Sequence, residues 1–385
     1  MANEKSTRIW LSTAHFTNDV YTGFLNPIMP FVAAKLGISM AIATIVLSLS
    51  HIFSSLLQPI FGFFADNISR RIFIFWGLLF TSIFIPFAPS ADSLFKLVFC
   101  IVIGSLGSSL FHPQALGLAN LFAGDDKAKY MGIFIALGTL GYSVGPLLSS
   151  SVAQFFGLNK MPFLSVLGVV CALLMFKYVK KTSYNSQKTF SYDFKTAFCE
   201  ILSNRKLNIL NVISMLKSLI SSSCFIFLPF LWKSMGYSPF FIGTALFVFI
   251  FVGGIGSLLS NKFESKLGSI NVFYFSMILT FPLMLLFVLT YKSMPIFSLV
   301  IFFLMGFVTM LAVPVTMNMA QAVMPKYKSI IGGFINGFSW GIVALIMSLN
   351  GIVAQNYGIT KVLLVVSVIP AIFSLLFVKY LKQTN

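Results

Sequence analysis

The stretch 179–206, VKKTSYNSQKTFSYDFKTAFCEILSNRK, is the one long polar run in the 385-residue chain, and it bisects it. On either side the sequence is a succession of apolar segments separated by short polar breaks. The chain is 58% hydrophobic and 9% charged, whereas a soluble domain carries roughly a quarter charged residues to make its polar shell. A spanning helix needs ~20 mostly apolar residues. That measure predicts twelve spans, over 9–33, 41–64, 72–90, 95–121, 130–156, 161–178, 207–232, 239–260, 271–290, 295–323, 329–354 and 362–379. Hydrocarbon offers no partner for unpaired backbone groups, so the spans are expected to be helical. The short alternating strands of a barrel are absent from the pattern. The first apolar segment is too long for a signal peptide and carries Asp19, so it reads as a retained helix. The expected fold is an all-α integral membrane protein: an N-terminal six-helix bundle over 1–180, a central cytoplasmic loop over 181–206 and a C-terminal six-helix bundle over 207–385.

The net charge of +17 raises nucleic acid as a partner, and its distribution argues against that. With the N-terminus placed inside, each predicted outer loop holds a single basic residue: Lys35, Lys96, Lys160, Lys233, Lys292 and Lys361. Lys217 lies inside a helix, and the other Lys and Arg fall in inner segments. This asymmetry orients both termini toward the cytoplasm; attraction to anionic lipid follows from it. Cys100, Cys171 and Cys224 fall in spans and Cys199 in the central loop, without metal-ligand spacing, so neither a disulfide nor a metal is expected.

The halves match at an offset of about 200 residues. Pro30-Phe31 followed by Leu36-Gly37-Ile38-Ser39 parallels Pro229-Phe230 followed by Met235-Gly236-Tyr237-Ser238. Val152-Ala153-Gln154-Phe155-Phe156-Gly157 parallels Val353-Ala354-Gln355-Asn356-Tyr357-Gly358, and Pro113 falls on Pro314. A parallel repeat of six helices joined by a long cytoplasmic loop resembles the major facilitator superfamily. The resemblance implies two halves rocking around a central cavity, and a monomer.

Three motifs extend the resemblance. Gly62-Phe63-Phe64-Ala65-Asp66-Asn67-Ile68-Ser69-Arg70-Arg71 resembles the superfamily's loop motif between its second and third helices, with Asn67 and Ser69 as departures. It implies gating roles: close helix approach at Gly62, a latch at Asp66, and Arg70 and Arg71 holding the loop inside. Gly138-Thr139-Leu140-Gly141-Tyr142-Ser143-Val144-Gly145-Pro146 resembles the glycine-proline motif of the superfamily's proton antiporters. Gly141, Gly145 and Pro146 are then expected to pack or gate the fifth helix. His15-Phe16-Thr17-Asn18-Asp19 with Pro27 and Pro30, together with Phe111-His112-Pro113-Gln114, resembles the fosmidomycin-resistance branch, a group of bacterial drug exporters. This implies a multi-pass protein of the bacterial cytoplasmic membrane with an efflux mechanism.

Asp19 is eleven residues past Arg8, hence ~16 Å into a ~30 Å hydrocarbon core. A carboxylate at that depth costs ~2.5–3.5 kcal/mol on insertion scales, so it is expected to face a cavity or a partner. Lys217 lies equally far past Lys206 and falls beside Asp19 in the repeat, which makes the two candidates for a pair. A buried pair that only fixes packing competes with a proton-coupling role. Lys217 has a further alternative, as counter-ion to an anionic substrate. His15 shares the Asp19 face at i, i+4, and His15 and His112 are candidate proton relays. Candidate cavity residues are Asn18, Asn26, His51, Gln58, Gln114, Asn211, Ser214, Ser218, Thr316, Asn336 and Trp340.

The leading expectation is a proton-coupled exporter of a small amphiphilic or anionic compound. A proton-coupled importer of an organic acid, metabolite or siderophore is the alternative, and a non-transporting sensor or scaffold a third. No nucleophile-base arrangement, phosphate loop or ATP motif is legible, so an enzyme is not expected. An ion gradient is the expected energy source, with no cofactor.

Overall fold

The computed structural model describes residues 4–58, 60–61, 70–180 and 194–383, and among these there is no strand. The first half runs α1 (Glu4–Thr22), α2 (Leu25–Leu36), α3 (Met40–Ser55), α4 (Arg70–Phe87), α5 (Leu94–Leu121), α6 (Lys127–Phe155) and α7 (Ser165–Tyr178). After α8 (Phe194–Ser203) come α9 (Arg205–Ser234), α10 (Pro239–Leu267), α11 (Ser269–Ile278) and α12 (Thr280–Thr290). The chain closes with α13 (Pro295–Leu311), α14 (Val313–Val323), α15 (Lys328–Gly332), a π-helical turn (Gly333–Phe338), α16 (Ser339–Tyr357) and α17 (Ile359–Gln383). Among the described residues, nine helical stretches are long and apolar enough to cross a bilayer, with shorter apolar helices at Met40–Ser55 and Ile359–Ser374. The first predicted span appears as two helices, because α1 stops at Thr22 and α2 starts at Leu25.

Local chemistry sets the helix starts. Ser39 Oγ accepts from the Ile42 amide at 3.3 Å, Asp126 Oδ1 from Lys129 at 3.3 Å and Asn204 Oδ1 from Leu207 at 3.0 Å. Each satisfies one of the amides that a first turn leaves without an intrahelical partner. The repeat recurs in the backbone: Gly37 and Gly236 have φ of 65° and 86°, and Gly157 and Gly358 have 83° and 96°. Only glycine enters that region without steric cost, so the residues matched between halves are those the turns require.

The chain divides into two compact units, Met1–Ser186 with Pro229–Phe247, and Gln187–Leu228 with Val248–Asn385. Residues 229–247, which the sequence reading assigns to the second bundle, thus group with the first. The contacts explain why: Lys233 Nζ donates to the Pro30 carbonyl at 2.9 Å. A Cβ on Gly243 would strike Ser150 and the Pro146 carbonyl.

In the first unit, α4 and α5 touch backbone to backbone. A Cβ on Gly77 would lie 2.7 Å from the Gly107 carbonyl, and one on Gly107 would lie 2.6 Å from the Gly77 carbonyl. Thr81 Oγ1 reinforces the seam by donating to the Gly104 carbonyl at 3.1 Å. Apolar area contributes little to helix association in hydrocarbon, so close approach and hydrogen bonds do the holding. Leu11, Ala14, Phe111, Phe134 and Met175 form the buried cluster beside α1. In the second unit, Leu210, Ile213, Phe273, Met277 and Phe334 form the corresponding cluster. Outward faces carry large apolar side chains such as Phe95 and Ile296, 79% and 80% exposed, as expected where the solvent is lipid.

Candidate functional site: a carboxylate held by two histidines

In the first unit, α1 and α5 bring four polar side chains together. His15 and Asp19 stand one turn apart on α1, with His15 Nε2 3.3 Å from Asp19 Oδ2. His112, on α5, places its Nε2 3.4 Å from Asp19 Oδ1. Asn18 Nδ2 donates to Asp19 Oδ1 at 3.1 Å and lies 3.4 Å from His112 Nε2. The Asp19 side chain is 13% exposed, and Asn18 is fully buried.

The neighbours fix the His15 ring. It stacks on Phe134, 4.3 Å between centroids, and meets the His112 ring edge-on at 5.6 Å. Its Nδ1 lies 3.0 Å from the Phe134 carbonyl. A carbonyl oxygen can only accept, so Nδ1 carries the hydrogen. A neutral His15 would then turn a bare Nε2 lone pair toward the Asp19 carboxylate. The contact can hold one proton between His15 Nε2 and Asp19 Oδ2. His112 offers a place for a second proton. When neutral it accepts from the Asn18 amide; when protonated it donates to Asp19. The Asn18 Oδ1 is buried without a hydrogen-bond partner among the described residues.

Glycines on α6 make room for this arrangement. A Cβ on Gly138 would strike the His15 ring, one on Gly141 the Phe16 carbonyl, and one on Gly145 the Val20 carbonyl. Pro146 packs against Gly23, whose own Cβ would lie 3.0 Å from the Pro146 ring. The motif residues expected to pack the fifth helix thus pack it against α1, beneath the Asp19 cluster. The three ligand-type atoms of His15, Asp19 and His112 lie within 4.8 Å of one another. That spacing suits a shared proton and is also open to a small cation. The sequence pointed to His15 and Asp19 as one face, but the part played by the Phe134 carbonyl had no signal in the side-chain pattern.

The other candidates divide. Gln114 Nε2 donates to the Phe61 carbonyl at 3.1 Å, and Gln58 Nε2 turns back to the Ser54 carbonyl of its own helix at 2.8 Å. Asn26 lies on α2 and His51 on α3, and neither belongs to the cluster. Arg71 donates to the Val179 carbonyl at 3.0 Å and stacks over Phe176 at 4.4 Å, tying α4 to the end of α7. Gly62, Asp66 and the Arg70 side chain lie outside the described residues.

In the second unit, Ser214, Lys217, Ser218 and Ser221 share one face of α9 and line a cavity of about 90 Å³. Thr309 from α13, Thr316 from α14 and Asn336 from the π turn complete its polar wall, and Trp340 from α16 also lines it. The π turn is held from α9: Asn211 Nδ2 donates to the Phe334 carbonyl at 2.7 Å and Ser214 Oγ to the Ile335 carbonyl at 2.8 Å. Asn211 therefore braces the wall of the cavity. Thr309 was not anticipated. At the offset of Pro113 and Pro314 it falls on Ser108, also buried, and carrying the repeat through that helix would have found it.

Known proteins agree with this architecture. The family described as the Major Facilitator Superfamily matches residues 11–348. The fosmidomycin resistance protein of Escherichia coli K12 is 24% identical over 368 residues, covering 94% of this chain and 89% of that protein. The quinolone resistance protein NorA of Staphylococcus aureus is 23% identical over 346 residues, covering 86% and 83%. The crystal structure of the nucleoside transporter NupG shares the fold, with a TM-score of 0.77 at 16% identity, covering 98% of this chain and 99% of that one. A multi-pass membrane protein, the chain belongs to the Major Facilitator Superfamily.

Proposed function

We propose that this protein is a secondary active transporter that exports a small amphiphilic or anionic compound in exchange for protons. The observation that carries the proposal is the convergence of His15 Nε2 and His112 Nε2 on the Asp19 carboxylate, at 3.3 and 3.4 Å. An ionisable cluster within apolar helices is costly, and such clusters mark ion pathways and proton relays. The ionisable groups in contact with Asp19 are His15 on α1 and His112 on α5. Loading and unloading the cluster changes the charge that α1 presents and so biases alternating access. The resistance activities named for two relatives favour efflux. In this reading the chain makes twelve spans in the bacterial cytoplasmic membrane, with both termini cytoplasmic, and works as a monomer without a cofactor.

The test is Asp19→Asn in everted vesicles energised by a pH gradient. Substrate-dependent proton release is expected to vanish while gradient-free substrate exchange persists. Wild-type pH dependence in the variant would sink the proposal. Import by symport is the second reading, favoured by the fold shared with a nucleoside transporter. Right-side-out vesicles that accumulate substrate with protons, where everted ones do not, would decide for it.

A further inference from the structure

We infer that Lys217 is the fixed cation of an oxyanion subsite in the second unit, built to hold the carboxylate, phosphate or phosphonate headgroup of a ligand. This deepens the exporter reading, on which it rests for the claim that the bound anion is cargo.

Lys217 is 5% exposed and lines the cavity beside Ser214, Ser218 and Ser221. Among the described residues 194–383 the acids are Glu200 on α8 and Glu264 near the end of α10. Glu264 is occupied by the Ser269 hydroxyl at 2.6 Å, and the ion pairs among the described residues are His15–Asp19, His112–Asp19 and Lys96–Asp92, none of them with Lys217. An ammonium buried without a counter-charge is strongly unfavourable. A bound anion removes that cost and gains charge-assisted hydrogen bonds.

The hydroxyls around Lys217 are not equivalent. Ser214 has given its hydrogen to the Ile335 carbonyl, Thr309 to Met305 at 2.9 Å and Thr316 to Ala312 at 2.7 Å. Ser218, Ser221 and Asn336 have no hydrogen-bond partner among the described residues, and all three line the cavity. The donors left to the cavity are therefore the Lys217 ammonium, two serine hydroxyls and one carboxamide. Such a set recognises an acceptor-only, negatively charged group. The cavity, at about 90 Å³, is far below the ~300–1,000 Å³ of drug-sized sites. It suits a headgroup, with the rest of the ligand outside. Met310, Val313 and Trp340 give the same cavity an apolar side, so the ligand class is an anionic amphiphile. Lysine acts as a point charge rather than a planar fork, so it does not choose between planar and tetrahedral anions.

The experiment uses the full chain in phosphatidylcholine nanodiscs without a gradient. Inorganic phosphate and acetate are titrated at constant ionic strength while tryptophan emission is followed. A saturable change is expected with at least one of them. Trp340→Phe should remove it, Lys217→Arg should keep it, and Lys217→Gln should raise the half-saturating concentration at least tenfold. Ser218→Ala with Ser221→Ala should raise it several-fold, which keeps a readout should Lys217→Gln fold poorly. Discs containing phosphatidylglycerol form a second arm. If they produce the Lys217-dependent change without added anion, the headgroup of a lipid is the source of the oxyanion. No response in wild type, or an unchanged response in Lys217→Gln, overturns the inference. Proton-driven flux surviving without anion binding removes this inference alone, and anion binding surviving without proton-driven flux removes the exporter reading alone.

Discussion

At the scale of single residues, the arrangement separates shape from proton chemistry. His15 is stacked on Phe134 and sits over the bare backbone of Gly138, so its ring fills space as well as facing Asp19. His15→Phe keeps the ring and loses the proton. Its melting temperature is expected to stay within a few degrees of wild type while proton-driven flux falls at least tenfold. His15→Ala should lose both, since deleting a packed ring costs roughly 3–5 kcal/mol. Equal loss of stability in the two variants would mean that the hydrogen bond to Phe134, not the stacking, holds the helix in place. Asp19 and His15 were legible because an i, i+4 pair marks one helix face whatever surrounds it. His112 was named from its motif, and its meeting with Asp19 depends on how α5 lies against α1. Lys217 was legible as an ion inside a helix, read either as a partner of Asp19 or as counter-ion to an anionic substrate. The free and engaged states of the hydroxyls around it depend on rotamers that no sequence pattern encodes.

At the scale of helices, two devices invite test. The first is the glycine face of α6 beneath α1. Gly141→Ala places a methyl against the Phe16 carbonyl, and backbone cannot yield as a side-chain tip can. A loss of about 1–3 kcal/mol is expected, read as a lower melting temperature in detergent. The second is the brace on the π turn. Asn211→Ala leaves the Phe334 carbonyl buried without its donor, at a cost of about 1–3 kcal/mol. Phosphate or acetate binding should weaken with it, because Asn336 sits on the turn that loosens. A stable Asn211→Ala with unchanged anion binding would show that the turn holds itself. Nine of the expected spans coincide with long apolar helices because apolar length sets them, whereas the first divides between Thr22 and Leu25 and the end of the second lies outside the described residues. The π turn was not legible, since an added residue in a helix leaves apolar composition untouched and only the bonds from α9 reveal it.

At the scale of the molecule, the basic residues predict which segments face which side. With cytoplasmic termini, a cysteine at Lys96 in a cysteine-free background should react with an impermeant maleimide in intact cells. One at Lys188 should react only in everted vesicles. The reverse pattern would overturn the orientation. The repeat was legible in turn residues and hidden elsewhere, and its unevenness has a historical consequence. Gly37 with Gly236, and Gly157 with Gly358, take left-handed backbone at matched places, where a side chain of any other kind is strained. The ionisable residues did not stay matched: Asp19 and the histidines stand in one half, Lys217 in the other. Two copies of a six-helix ancestor, joined head to tail, would leave this record. Turn geometry is demanded equally of both copies, whereas each buried charge must be tolerated afresh wherever it arises. On the reading proposed above, the joined copies specialised, one for the proton and the other for the cargo.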